Sequence, residues 1–454
     1  MALSSIEYSY RFPYASSVVD AHGASVLQLA TSEQAKQFPY FFEGILLQPR
    51  STAQLLFMLS RVVSTRFYTP PGMLKRILAE RDPVITSGGE LLRFEGFSAC
   101  CSTYARVDLS PDAYAGKVVG TGTTNVDFNA AMRAALAAVR DNEKLAICVG
   151  PDEVSMKRGF ASIVEKKVAL PLRWLKGFVE VQSYQSQMEH RYTIGKVEAI
   201  RFLRSLPSNS NDRSIFWIVP AGKGLRLSQV DAGSCLKVSG LSRLLLLKHL
   251  APLADELNVY AHPRGESSEW QLRCGGTIFN LTLTAESSRG FSGEGQALSE
   301  LATVETDQIA KVRSSLKWQS IIRIEEIAKQ CELPQDTVRQ LLGLLGSRGL
   351  VGYDVGAGAF FHRELPFDLE LVEELHPRLK GARKLVASGQ VKILDNAGPV
   401  IEAEVQGSDV KHRVRISGSR QECTCQWHMK YQGSRGPCKH ILAVHITTGG
   451  DYEE

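Results

Sequence analysis

A chain of 454 residues with 53 Lys and Arg against 48 Asp and Glu, net charge +5, has room for several cores at roughly 100–200 residues per domain. Its 44% hydrophobic, 22% charged and 8% aromatic residues exclude wholesale disorder. The richest apolar run, Leu241 to Leu257, is broken by Arg243, Lys248, His249, Asp255 and Glu256, so no membrane span is expected.

The opening MALSSIEYSYRFPYASS has no basic segment followed by an apolar block, so no secretory signal is expected and the protein is read as cytoplasmic. Residues 1–165 read as a mixed α/β N-terminal region. Ala53 to Val63 is a helical apolar run, and Lys144 to Gly150 a short buried strand. Asp127 is expected to cap a helix reaching about Asp141, with Met132, Leu136 and Val139 on one face. The stretch Gly120-Thr121-Gly122-Thr123-Thr124 lacks the Gly-Lys-Ser/Thr of a phosphate loop and the third glycine of a dinucleotide site. It is read as a turn leading into that helix.

Residues 166–300 form a second α/β region, with a helix over Lys196 to Leu206, a strand at 215–219 (IFWIV) and a helix predicted from Leu241 to Leu257. Polar stretches at 208–214 and 286–295 mark loops, the second being the better boundary. Gly290 to Gly293 fails the nucleophile-elbow pattern, since Glu294 stands where glycine is needed. His190, His249 and His262 have no carboxylate or serine partner at a telling spacing, and H-E-x-x-H is absent. No catalytic constellation emerges, and a non-enzymatic protein is expected.

Residues 301–370 change rhythm. Helices are predicted at about Gln308 to Lys317, Glu325 to Cys331 and from an Asp336 cap to Arg348, followed by LVGYDV (350–355), a Gly-Ala-Gly turn and AFFHRE (359–364). That order predicts a winged-helix-like module. Val338, Leu341, Leu342 and Leu345 should face inward, and Asp336, Thr337, Arg339, Gln340 and Arg348 outward, where a recognition helix would meet DNA. Two arginines beside an aspartate are a thin complement for phosphate.

Residues 371–448 read as strand-rich from about Lys384, with a compact core at 412–447, and 449–454 form an acidic tail. The fold class expected overall is α+β and multidomain. It comprises a mixed α/β body, a winged-helix-like module and a small ββα unit at the C-terminal end.

Nine cysteines in a chain of this size are no disulfide scaffold. Cys100, Cys101, Cys148, Cys235, Cys274 and Cys331 are scattered and read as small core residues. Cys423-x-Cys425, twelve residues, then Cys438-x-His440 is different: three thiolates and an imidazole complete a tetrahedral zinc set. A full set leaves no open position, so the zinc is structural rather than catalytic. His428 and His445 are alternative ligands ranked behind His440. Pro437 suits the first turn of a helix carrying Cys438 and His440, with Ile441, Leu442, Val444 and Ile446 packing behind.

This C-x-C…C-x-H spacing, with the SRGPCKH stretch, resembles the bacterial SWIM zinc-finger family. GTGTTNVDFNAAMRAAL (120–136) and LPLRWLKGFVEVQ (170–182) are also similar to stretches in such proteins. The resemblance implies one structural zinc, with DNA, RNA or protein recognition as the finger's role. It also implies MoxR-type AAA ATPases and von Willebrand A-domain proteins as partners in an adaptor role.

Charge supports a nucleic-acid reading. Residues 408–448 hold seven Lys and Arg against Asp409 and Glu422. Arg420, Lys430, Arg435 and Lys439 are candidate phosphate contacts, with Trp427 and Tyr431 placed among them for base stacking. Alternatively, the cations only solvate a small domain and Trp427 packs on the metal site.

Overall fold

The computed structural model describes residues 17–21, 24–30, 42–68, 83–118, 120–125, 130–141, 145–150, 172–209, 214–231, 233, 235–291, 307–365, 377–396, 398–407, 410–418, 420–433 and 435–448. Two large sheets organise the first 290 residues. A five-stranded sheet runs in the order Ser17–Ala21, Ala24–Ala30, Leu145–Gly150, Phe42–Leu46, Tyr114–Val118, with one parallel pair between Ala24–Ala30 and Leu145–Gly150. An eight-stranded antiparallel sheet runs Glu189–Gly195, Glu256–Ala261, Ser267–Cys274, Thr277–Thr284, Thr103–Leu109, Leu92–Phe97, Val84–Ser87, Gly122–Asn125. Its central pairing, Thr277 with Leu109 through Leu283 with Thr103, draws strands from both sides of residue 165 into one sheet.

The helix Pro49–Ser64 covers the run at Ala53 to Val63, burying Leu55, Leu56, Leu59 and Val62. The helix Leu172–Gln185 brings Trp174 and Phe178 against Phe97 and Tyr104, in edge-to-face and tilted ring contacts 5.0–6.4 Å apart. Met132 and Leu136 are buried on a helix that spans Ala130–Ala138, short of the expected Asp141, and Val139 is buried just past its end. Its expected Asp127 cap lies outside the described residues. Gly122–Asn125 is a strand paired with Val84–Ser87, where a turn was expected, because the threonines there suit a sheet edge.

The Leu241 to Leu257 helix is also corrected. Only 244–253 is helical, as short 3-10 and α pieces, and Glu256–Ala261 is a strand. Pro252 has no amide to continue the ladder, and the strand finds partners on both sides, Glu189–Gly195 and Ser267–Cys274.

Residues 307–365 fold as helices Asp307–Ser314, Ile324–Cys331 and Gln335–Ser347, followed by a hairpin of Val351–Asp354 with Ala359–His362. Pro334, not Asp336, occupies the cap position of the third helix. Arg348 is buried instead of outward, and Leu341 is only half-buried, because the C-terminal half of that helix packs on Leu172–Gln185. A Cβ at Gly346 would run into Gln182, so glycine permits this close approach.

The hairpin docks on the eight-stranded sheet through buried charge. Asp354 bonds Arg93 at 3.1 Å and sits 3.2 Å from Arg106. Arg106 also grips Asp108 and the Tyr353 carbonyl oxygen, each at 2.9 Å. Arg363 donates to Glu95 at 2.6 Å. Phe361 is fully buried, with the Arg93 guanidinium 4.2 Å from its ring centre. Burial alone would raise the Asp354 carboxyl, but Arg106 and Arg93 together hold it at about 2.

On the same sheet, burial pushes Glu269 up to about 7, against the Arg106 charge and hydrogen bonds from Gln185 and Thr282. A folded value above the ordinary 4.5 means the associated stability is complete below that pH and is lost as the pH rises through 7. Glu269→Gln keeps both hydrogen bonds and should flatten stability between pH 5 and 8, measured by urea unfolding. The parent should lose on the order of 3 kcal/mol across that window.

Candidate metal centre

The last described unit begins with a helix that local pattern reading missed. Pro377–Ala387 buries Leu379, Ala382 and Leu385 at spacings of three, so residues 384–387 are helical rather than strand-like. The antiparallel sheet Val391–Asp395, Val400–Gln406, Lys411–Ser417, Arg420–Cys423 follows. The Pro377–Ala387 helix packs on Lys439–Thr448, which covers the sheet, and the buried residues of both helices share one core with Ile401, Ala403, Val405, Val414 and Ile416.

Each ligand is presented at the end of an element. Cys423 closes a strand, paired with Val414. Cys425 caps a short helix, Gln426–Tyr431, and its Sγ accepts from the His428 amide at 3.4 Å. Cys438 immediately precedes Lys439–Thr448, and its Sγ accepts from the Ile441 amide at 3.5 Å. His440 lies in the first turn of that helix, two residues beyond Cys438.

The four donor atoms lie within 4.8 Å of one another, and all four residues are buried. His440 Nδ1 is 3.8 Å from Cys423 Sγ and 4.0 Å from Cys438 Sγ. A tetrahedral zinc with ordinary Zn–S and Zn–N bonds spaces its donors about 3.5–3.8 Å apart, so the set fits one zinc ion. His440 Nε2 is buried without a hydrogen-bond partner among the described residues, while Nδ1 faces the sulfurs.

Electrostatics points the same way. Contact with Cys425, then with Cys438, drives the Cys423 thiol far up, and contact with Cys423, then with Cys438, holds Cys425 far down. For Cys438 the Cys423 contact lowers, but Cys425 and burial raise, leaving it at about 11. Three sulfurs this close share protons unless a cation allows all three to ionise. His428 lies on the short helix and His445 farther along the last one, and neither joins the donor cluster. Burial alone pushes His445 down to about 4, which keeps it neutral.

The candidate phosphate and base contacts separate. Arg420 is 2.7 Å from Glu422, and the sheet pairs Arg415 with Glu402 at 3.7 Å and Lys411 with Glu404 at 3.9 Å. Trp427 is half-buried against the finger core beneath Arg378, whose guanidinium is 4.6 Å from the ring centre. Lys430 and Arg435 are exposed beside Tyr431, 5.2 and 4.7 Å from its ring centre. The Lys439 stem lies against Gly381. Arg378 was missed because it precedes the cysteine motif. The spacing Leu379, Ala382, Leu385 among four cations was the signal for its helix.

Comparison with known proteins agrees at the centre. Residues 412–448 match the SWIM zinc finger family model. No curated protein matches the chain. Among solved structures, proliferating cellular nuclear antigen from Entamoeba histolytica is similar at 12% identity and a TM-score of 0.35, over 54% of this chain and 98% of that one. A likeness at that level carries no argument.

Structural zinc in such sites supplies about 10–16 kcal/mol at neutral pH, so its loss should unfold the unit it organises. Elemental analysis should find one zinc per chain, and Cys438→Ser should abolish it. Hydrogen exchange should then show protection disappearing over 411–448 and kept at 103–109 and 277–284.

Proposed function

We propose that this is a non-enzymatic protein whose zinc-held C-terminal unit recognises the phosphate backbone of nucleic acid. The observation that carries the reading is the separation of charge within that unit. On the sheet, Glu402, Glu404 and Glu422 sit beside Arg415, Lys411 and Arg420, which leaves that surface locally near neutral. Residues 424–448 hold Lys430, Arg435 and Lys439 with no acid, and helix 377–387 holds Arg378, Lys380, Arg383 and Lys384, also with no acid. Lys380, Lys384, Lys430 and Arg435 are exposed. The exposed cations Lys380, Lys384, Lys430 and Arg435 favour a polyanion.

The two aromatic rings support backbone contact more than base stacking. Trp427 is engaged by Arg378 and by Tyr431 at 4.5 Å, and Tyr431 by Arg435. We read residues 307–365 as a winged-helix-like module that serves in packing. Its hairpin is turned into the large sheet, and Arg348 is buried. That takes the wing and one of its two arginines away from any duplex.

The test is a salt titration of the zinc-loaded full chain with labelled duplex and single-stranded oligonucleotides. Affinity should fall linearly with the logarithm of salt. Lys430→Ala with Arg435→Ala should flatten that slope by about 0.9 for each duplex phosphate the two side chains neutralise. A zinc-loaded chain without salt-dependent binding overturns the reading in favour of a protein adaptor.

A further inference from the structure

The loop between the two ligand pairs is held from outside the finger. Arg378, in the first turn of Pro377–Ala387, donates through Nη1 to the carbonyl oxygens of Arg435 (2.9 Å) and Pro437 (2.7 Å). The same guanidinium stacks on Trp427, two residues beyond Cys425. Trp427 leans on Tyr431, and Arg435 covers Tyr431 from the far end of the loop. One side chain therefore grips both ends of the twelve-residue connection, touching the residue next to Cys438.

We propose that Arg378 is a positioning residue for the zinc centre: it fixes the loop so that Cys438 is presented to the ion already aligned. The inference rests on reading the cluster as a zinc site, and it extends the functional unit upstream of residues 412–448. Between the short helix Gln426–Tyr431 and Cys438, the stretch 432–437 with Gly433 and Gly436 has many open conformations, and each one displaces the Cys438 sulfur. A clamp at both ends removes most of them before metal arrives. The task suits arginine, whose plane offers directed donors at its edge and a flat cationic face for an indole. Lysine keeps the charge but has no such plane.

The full zinc-loaded chain is challenged with a chromogenic chelator, and zinc release is timed. Outer-shell partners of metal ligands typically matter about 10- to 100-fold, so Arg378→Ala should release zinc faster by a factor in that range. Arg378→Lys should recover only part of the loss. Trypsin should cut Arg378→Ala sooner after Lys430 and Arg435, with whole-chain circular dichroism and unfolding midpoint unchanged. If Arg378→Ala does not fold, Arg378→Gln is read the same way. Release and cleavage at parental rates, or full recovery with lysine, overturn the proposal. A parent chain without stoichiometric zinc would overturn the metal reading itself.

Discussion

Three sulfurs and an imidazole nitrogen crowded within 4.8 Å, on residues that are all buried, set the terms for the C-terminal unit. Anions at that separation repel strongly where water is excluded, so thiols alone would share protons and ionise one at a time. A divalent cation removes the conflict and turns four weakly connected element ends into one rigid point. A strand end, two helix starts and the first turn of the last helix all meet there. The apolar layer behind, from Leu379 to Val444, is small, so the ion stands in for part of the core that a unit of about 70 residues cannot build.

The N-terminal body treats buried charge differently. Arg93, Arg106 and Arg363 are neutralised by Asp108, Asp354 and Glu95, with Phe361 among the guanidinium groups. Such pairs add little net stability over an apolar packing of the same shape, but breaking one leaves an uncompensated charge. Their consequence here is register. The hairpin at 351–362 has one way to meet the sheet, and its strands are thereby committed to the interior.

A linear count of charge misled about the finger's surface. Seven cations against two acids over 408–448 suggested a basic finger. Two of the balancing acids, Glu402 and Glu404, precede that window and lie one strand away from their partners. Exposed pairs of this kind contribute about 0–1 kcal/mol each to stability, yet they neutralise the local field. The basic character is concentrated instead on the two helices and the loop around Arg378.

How much was legible follows from how far each interaction reaches along the chain. The ligand set, the helices over 49–64, 196–205 and 335–347, and the hairpin at 351–362 depend on neighbours within a few positions, and residue spacing alone revealed them. The break in the Leu-rich run after residue 253 was half-written in Pro252, but the strand that replaces the helix needed its partner at 267–274. Pairing of 103–109 with 277–284, burial of Arg348 and the grip of Arg378 on the ligand loop were not in any local pattern. By itself the order of residues determined which atoms can hold a metal, because ligand chemistry is a property of side chains. Which cations are neutralised, which rings are covered and what steadies the loop were decided only by tertiary structure, because those contacts join segments that only packing brings together.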